Sequence, residues 1–359
     1  MSAADAGPAG AGSFFVLSLP TVSATEHQVL ADALTQAIAR GTILSPHDLA
    51  LPPGWRRLAV RARFPRFPRS RGILTPLLPL RAMRSVPTPV LLVVDELFSS
   101  TLLHAVYAKR VHRAAVIVYC FENLPFPPLM RLSARFFSRF VDVALCSCGD
   151  AALRARESGV AHTVLCPYPV WEPPPAAVRT VTQIRTVGYI GRLVPEKGLG
   201  DLLQAAQERP DLEVRIYGQG PLLEQVRQTP AVRYLGSFDG RDGLEVVYRD
   251  LDVLVLPSRA LPHWHEQYGR VLAEAMARGV IPLGSDCGAI PDVVGDPRLI
   301  FPAGQPAALA DRLRWLSGLP PAAVAELSRG VRRRFTEHLA TPVFQGRLLE
   351  AAARCTRGA

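Results

Sequence analysis

The sequence predicts an α/β protein of two domains, each a parallel sheet with helices between its strands. Three observations carry that prediction. Short apolar runs such as Val253 to Leu256, bounded by Pro257 and Ser258, have the look of strands buried on both faces, and they alternate with stretches of helical periodicity. A length of 359 residues suits two domains of ordinary size, each with its own core. The proline-rich stretch YPVWEPPPAAV, residues 168–178, divides two such series and reads as the connection between domains.

The elements follow in chain order. FFVLSLP (14–20) is a buried first strand, and Thr25 with Gln28 has the pattern of a capping box for a helix running to about Arg40. His27 is read as an exposed residue of that helix. Val90 to Val94 is the next strand and ends at Asp95 and Glu96; a helix covers about 100–112, and Ala115 to Tyr119 is a strand ending at CFENLPFPP. A basic helix around 129–140 sets Arg131, Arg135 and Arg139 in one stripe. Val141 to Leu145 and Thr163 to Cys166 are further strands. Beyond the connection come strand 186–191, helix 199–208, strand 213–217, helix 221–228, strand 232–236, helix 242–249 and strand 253–256. A polar, aromatic loop then leads to a helix over Gly269 to Arg278, with apolar residues at 271, 272, 275 and 276 on one face and Gly279 at its C-terminal end. Strand Val280 to Leu283 ends in the turn-rich run GSDCGAIPD. Helices over 306–317, 321–335 and 341–354 close the chain.

At 48% apolar and 20% charged residues the composition is globular. No run reaches 18 apolar residues, which argues against a transmembrane helix. MSAADAGPAGAGS at the start has no basic segment and reads as a disordered tail (1–13), not a signal peptide. The six cysteines (120, 146, 148, 166, 287, 355) form no CxxC pairs, which suggests reduced thiols and a cytoplasmic protein. The net charge of +10 is uneven: no acidic residue falls between Asp48 and Asp95, where nine arginines run from Arg56 to Arg84. Such a block favours an anionic partner. Its prolines and aliphatic residues suit a peripheral position on the inner face of a membrane.

The chemistry gathers in residues 251–296. Glu266 lies on the loop just ahead of a helix, and Glu274 about a turn and a half into it. Between them the first-turn N–H groups near Tyr268 to Val271 make an anion site. Two carboxylates beside a phosphate seat suit a sugar, because an ionised carboxylate is a pure acceptor for its hydroxyls. GYIGRLVPEKG (188–198) adds Arg192 and Lys197 on the carboxyl-end loop of another strand, where ligands of parallel sheets bind. His263 and His265 beside Glu266 are not a defined coordination set, and no metal is expected. Asp250-Leu-Asp252 mimics a metal-binding DxD but precedes its strand, and so lies at the wrong edge of the sheet.

The E-x7-E followed by AMARG, within PHWHEQYGRVLAEAMARGVIPLGSDCGAIPDVVGD, and the R-x4-K ahead of it resemble the family-4 retaining glycosyltransferases of GT-B fold. The first half resembles them more loosely, in its aromatic-x-N-L turn, Pro-Pro loop, basic helix and VDVALCSCGDAALRARESGV. The resemblance implies two Rossmann-like domains facing a central cleft. These are an acceptor domain over 14–170, with 341–357 crossing back to it, and a nucleotide-sugar domain over 179–340. It implies Arg192 and Lys197 on the donor diphosphate, Glu266 on sugar hydroxyls and Glu274 on the ribose. Further donor contacts would come from Gly191, Gly218, Gly220, Leu235, Gln267, Tyr268, Gly269, Arg270, Val271, Gly288, Ala289 and Ile290. The loop Pro20 to Ala24 lacks the glycine pair common in relatives, so no donor-closing role carries over. Acceptor candidates are Glu122 first, then Asp95 and Glu96.

The expected activity is a metal-independent, retaining hexosyltransferase-like reaction with a nucleotide-diphosphate sugar as substrate and no cofactor. The acceptor is unidentified: lipid-linked, phosphate-bearing or a small natural product. Sugar-nucleotide epimerisation or phosphorolysis on the same fold is the alternative. A non-catalytic nucleic-acid module is the third reading, and few interleaved aromatics and no recognition motif argue against it.

Overall fold

The computed structural model describes residues 14–18, 24–45, 47–59, 89–238 and 240–357. The chain divides into two compact units, residues 1–169 with 342–359 and residues 170–341. Seven of the nine arginines of the basic block, and the loop after the first strand, fall outside the described residues.

The first unit holds a parallel seven-stranded sheet, ordered β3-β2-β1-β4-β5-β6-β7. Its strands are β1 (Phe14–Ser18), β2 (Gly41–Ser45), β3 (Trp55–Ala59), β4 (Val90–Val94), β5 (Ala115–Cys120), β6 (Val143–Cys146) and β7 (Thr163–Leu165). The order reverses between β1 and β4. With right-handed crossovers, elements before and after such a reversal cover opposite faces and leave a crevice at the strands' carboxyl ends. Asp95 and Glu96 follow β4 at that edge, and Glu122 follows β5.

In this unit two strands lie where the sequence pattern shows none, as does β13 (Ile300–Phe301) in the other. β2 is wholly buried, but it is short and starts on a glycine whose added Cβ would meet the Trp55 ring. β3 is an edge strand, half exposed, with Arg56 and Arg57 where an apolar alternation would be the signal. Helix α1 spans Ala24–Ala37, and the cap expected of Thr25 lies outside the described side chains. The Gln28 amide bonds Asp32 and both backbone groups of Ala50. His27 is buried, not exposed: its Nδ1 lies 3.1 Å from Ser45 Oγ, and its ring meets that of His47 edge-on. The helix expected over 100–112 is broken into a 3₁₀ turn (Ser100–Leu102), α2 (Leu103–Tyr107) and a π segment (Ala108–His112), closed by Arg113 at positive φ.

Helices α3 (Pro128–Phe137) and α4 (Gly149–Glu157) follow β5 and β6. The last helix, α12 (Thr341–Arg357), belongs almost wholly to the first unit. It buries Phe344, Leu348, Ala351 and Ala352 there, sets the Phe344 ring near Tyr119, and donates from the Gln345 amide to the Ala33 carbonyl.

The second unit holds a parallel six-stranded sheet, ordered β10-β9-β8-β11-β12-β13. The strands are β8 (Thr186–Ile190), β9 (Glu213–Tyr217), β10 (Val232–Tyr234), β11 (Val253–Leu256), β12 (Ile281–Ser285) and β13 (Ile300–Phe301). Helices α5 (Leu199–Gln207), α6 (Leu223–Arg227), α7 (Gly240–Arg249), α8 (Arg270–Ala277) and α9 (Ile290–Val294) stand between them. Helices α10 (Pro306–Ser317) and α11 (Pro321–Arg334) follow. Here the order reverses between β8 and β11, both central and almost fully buried. Asp252 sits at the opposite, amino edge of β11. It accepts from the N–H groups of Arg185 and Thr186 and pairs with Arg179, a role in holding the sheet's lower edge.

Among the described residues all six cysteines are free thiols, no three of the His, Cys, Asp and Glu side chains gather as a metal-holding group, and no helix is long and apolar enough to cross a membrane.

Candidate active site

The reversal between β8 and β11 brings together residues 69 positions apart. Beyond β8 the chain turns through Gly191 to Leu193, enters a 3₁₀ turn (Pro195–Lys197) and passes Gly198 into α5. Gly198 has φ +66, and a Cβ there would overlap the Pro257 carbonyl just past β11. Only glycine lets these two strand-end loops come so close. Arg259 locks them a second time: its guanidinium pairs with the buried Asp201 of α5 and its N–H donates to the Glu196 carbonyl.

Across that closed seam the Lys197 ammonium lies 2.6 Å from Glu266 Oε2, with the two side chains 17% and 10% exposed. The Ser258 hydroxyl donates to the same oxygen at 2.8 Å, and the Lys197 ammonium stands 5.3 Å from the Trp264 ring. The backbone of Glu266 is fixed too. Its carbonyl accepts from the Ala289 N–H at 2.9 Å, and its N–H points at Cys287 Sγ at 3.5 Å. Burial pushes the Cys287 thiol up to about 11, so it stays neutral beside the carboxylate. Arg192 differs from Lys197: its side chain is 63% exposed and its closest acidic partner, Glu196, is 3.7 Å away.

Glu274, one helix further on, is buried within α8. The Tyr248 hydroxyl lies 3.2 Å from its Oε2 and 2.9 Å from the Val271 carbonyl, and donates to one of the two. Burial first, and the Glu274 charge second, hold the Tyr248 phenol well above its ordinary range. Below them the buried Arg278 stacks on the Tyr248 ring, pairs with Glu245 and donates to the Glu274 and Trp171 carbonyls.

The remaining donor candidates divide. Gly269, at φ +79, opens α8 without a side-chain cap. Gln267 is exposed and Tyr268 buried; Arg270 and Val271 begin the helix. Gly218 adopts φ +142, and Gly220 likewise packs where side chains cannot, but the close approach is to the chain's own loop. Their neighbours are the carbonyls of Gly191 and Leu193, so this turn braces the Arg192 loop. The Leu235 N–H donates to the Ile216 carbonyl and is engaged within the protein, while the Gly236 carbonyl accepts from the Gly218 N–H and keeps a second lone pair. The side chain of Leu235 is exposed. In the run Gly288 to Ile290 the N–H groups of Ala289 and Ile290 donate to Glu266 and Cys287, so those donors are engaged within the protein. Ser258, Tyr248 and the Asp201–Arg259 pair are parts of the site that sequence reasoning missed.

Residues 184–318 match the family model of the Glycosyl transferases group 1. Across the whole chain the fold superposes on a solved structure of Anabaena Alr3699/HepE in complex with UDP. The TM-score is 0.72 at 15% identity, over 96% of this chain and 100% of that one. The chain has the GT-B fold. Among curated proteins this GT-B chain is similar to the 2-deoxystreptamine N-acetyl-D-glucosaminyltransferase of Streptomyces fradiae, 34% identical over 137 residues. That match covers 34% of this chain and 31% of the relative. It is also similar to the phosphatidyl-myo-inositol mannosyltransferase of Mycobacterium leprae, 35% identical over 141 residues, covering 36% of each. The chain thus spans about a third of the length of these curated relatives.

The first unit of this GT-B chain gathers its own carboxyl groups at the reversal of its sheet. Glu96 Oε1 accepts from the N–H groups of Phe121 and Glu122, each at 2.8 Å, while its Oε2 is buried with no hydrogen-bond partner. Burial foremost, then the charge of Glu122, pushes the Glu96 carboxyl up to about 8, so at neutral pH it carries a proton. Because Oε1 holds two donors, that proton belongs on Oε2. Asp95 is also raised by burial, against the bond from the Ser99 hydroxyl at 2.6 Å. Glu122 is half-buried and accepts from the Leu124 N–H.

Proposed function

We propose that the chain transfers a sugar, with retention of its anomeric configuration, from a nucleotide-diphosphate donor held on the second unit. The observation that carries this reading is the Lys197–Glu266–Ser258 cluster at the β8/β11 reversal, with Glu274 buried one helix away. Lys197 has three N–H donors, so it can keep Glu266 and still reach a phosphate oxygen. Arg192, exposed and loosely paired, is placed to fold onto the same diphosphate. Glu266 then accepts from sugar hydroxyls and Glu274 from the ribose, its carboxylate positioned by Tyr248.

In the reaction the bond from the anomeric carbon to the diphosphate oxygen breaks, and a bond to an acceptor oxygen forms on the same face. The acceptor proton passes to the departing diphosphate. Charge growing on that group is met by Lys197, held in place by Glu266, and by Arg192 folding onto it, two cations that take the part a divalent metal plays elsewhere. Support for a nucleotide-diphosphate sugar comes from the group 1 family model over this unit and from the UDP bound by the Anabaena protein of the same fold.

For the acceptor the reading assigns Glu122, half-buried beyond β5, with Asp95 and Glu96 behind it at the same sheet edge. Hydroxyl-bearing and amine-bearing rings suit those carboxyl groups. The relatives named for 2-deoxystreptamine and phosphatidyl-myo-inositol act on compounds of that kind. The test is product analysis by proton NMR after incubation with a panel of nucleotide-diphosphate sugars, with and without polyol and aminocyclitol acceptors. A glycoside with the donor's anomeric configuration is expected. An inverted product, or an altered sugar nucleotide formed without acceptor, would overturn the reading in favour of another reaction of the fold.

A further inference from the structure

We infer that α3 is a docking surface for an anionic phospholipid bilayer. The helix is fixed to the first unit by one face only: Ala134 and Phe137 are buried, and the Ser133 hydroxyl donates to the Phe98 carbonyl. Its outer face carries Leu129 and Leu132, each 68% exposed, and Phe136, 48% exposed. At spacings of three and four these residues form one apolar stripe. Arg131 and Arg135, also exposed, run beside it one turn apart, and Arg139 continues in the 3₁₀ turn (Ser138–Phe140). No acidic residue occurs between Glu122 and Asp142. Leucines and a phenylalanine in water, flanked by arginines alone, are the two halves of an interfacial helix.

A second observation points to phosphate. Between α3 and α4 lies a cavity of about 430 Å³ lined by Phe126, Arg131, Arg135, Arg154, Glu157 and Ser158. Arg154 pairs with Glu157 through one terminal nitrogen, but its Nε is buried with no hydrogen-bond partner. The cavity opens beside the arginine row of α3, where the headgroup phosphate of a lipid under the apolar stripe would enter. The chemistry selects among partners. A second copy meeting this face about a two-fold axis would set Arg131 and Arg135 against their own counterparts. A nucleic-acid backbone would leave the apolar stripe in water. An anionic bilayer satisfies both halves.

This inference does not depend on the glycosyltransferase reading, and its test reads no catalysis. The full chain is sedimented with phosphatidylcholine vesicles, with and without phosphatidylglycerol, at low and high salt. Partition into the anionic vesicles, weakened by salt, is expected. Each arginine near an anionic leaflet contributes about fivefold in partition, so Arg131→Gln with Arg135→Gln should lower it roughly 25-fold. Leu132→Ser with Phe136→Ser should lower it about tenfold at both salt concentrations, because that loss is apolar. Circular dichroism of each variant confirms that α3 and its unit remain folded. Equal partition into neutral and anionic vesicles, unchanged binding in either folded double variant, or a dimer abolished by Leu132→Ser with no vesicle binding would each overturn the proposal.

Discussion

At the scale of single residues the account rests on carboxylates doing different work. Glu274 is expected to hold the ribose, which free nucleotide and nucleotide sugar share. Glu274→Ala should therefore weaken both equally, by roughly 1–3 kcal/mol for a charge-assisted bond. Tyr248→Phe should give a smaller loss of the same kind, since the hydroxyl only orients the carboxylate. Calorimetric titration of both ligands checks this, and unchanged nucleotide affinity in a folded Glu274→Ala variant would reject the assignment. Glu96 makes a pH prediction. Its carboxyl moves from an ordinary 4.5 to about 8 on folding. The folded state thus favours the protonated form; its contribution is intact below about 4.5 and is lost as the pH rises to about 8. Glu96→Gln keeps an oxygen for the Phe121 and Glu122 N–H groups and cannot ionise. Against wild type it should gain a few kcal/mol of stability above pH 8, about 1.4 for each pKa unit of the shift, and nothing near pH 4. Parallel denaturation curves for the two proteins from pH 4 to 9 would contradict the buried-acid reading. Arg192, Lys197, Glu266 and Glu274 are legible in the sequence because their spacing is local to strand-end loops. Ser258 and Tyr248 are not: each acquires its role by meeting a carboxylate 8 or 26 positions away only after folding.

At the scale of elements the site depends on two loops that could not close over any side chain at position 198. Gly198→Ala combines a positive-φ penalty with overlap on a backbone carbonyl, and neither can be relieved by rotating a side chain. A stability loss of about 2 kcal/mol or more is expected, with the Lys197–Glu266 contact opened and donor affinity reduced. Differential calorimetry and a donor titration on one preparation check both, and a variant as stable as wild type would show that the seam is looser than described. The buried central strands β1, β4, β5, β8, β11 and β12 announce themselves as continuous apolar runs, because both of their faces are covered. β3 does not, since an edge strand half in water can carry Arg56 and Arg57. The division of the helix expected over 100–112 also has no sequence signature, and neither has its end, where Arg113 adopts a left-handed conformation without being glycine or asparagine. The burial of His27 is hidden in the sequence for a plainer reason. Its helical position fits either face, and the hydroxyl that accepts it into the core, Ser45, lies on a strand that the pattern hides.

At the scale of the whole molecule the chain repeats one device, a parallel sheet whose strand order reverses at its centre, and equips the two copies differently. The first gathers Asp95, Glu96 and Glu122 at its reversal; the second sets a lysine against a glutamate. The resemblance is sharp in the second half, where the proposed diphosphate and sugar would demand fixed charges, and loose in the first, where the proposed acceptor's chemistry would set the residues. The most direct test of the central claim is calorimetric titration of wild type and Glu266→Ala with a nucleoside diphosphate and with its glucosyl conjugate. Wild type should bind both, with turnover of the conjugate. The variant should keep or improve its affinity for the free diphosphate, because Lys197 is released from its carboxylate. It should lose the part of the affinity contributed by the sugar, and turnover should fall about a hundredfold or more. Equal loss of both ligands, or near-normal turnover in the variant, would contradict the claim that Glu266 grips the transferred sugar.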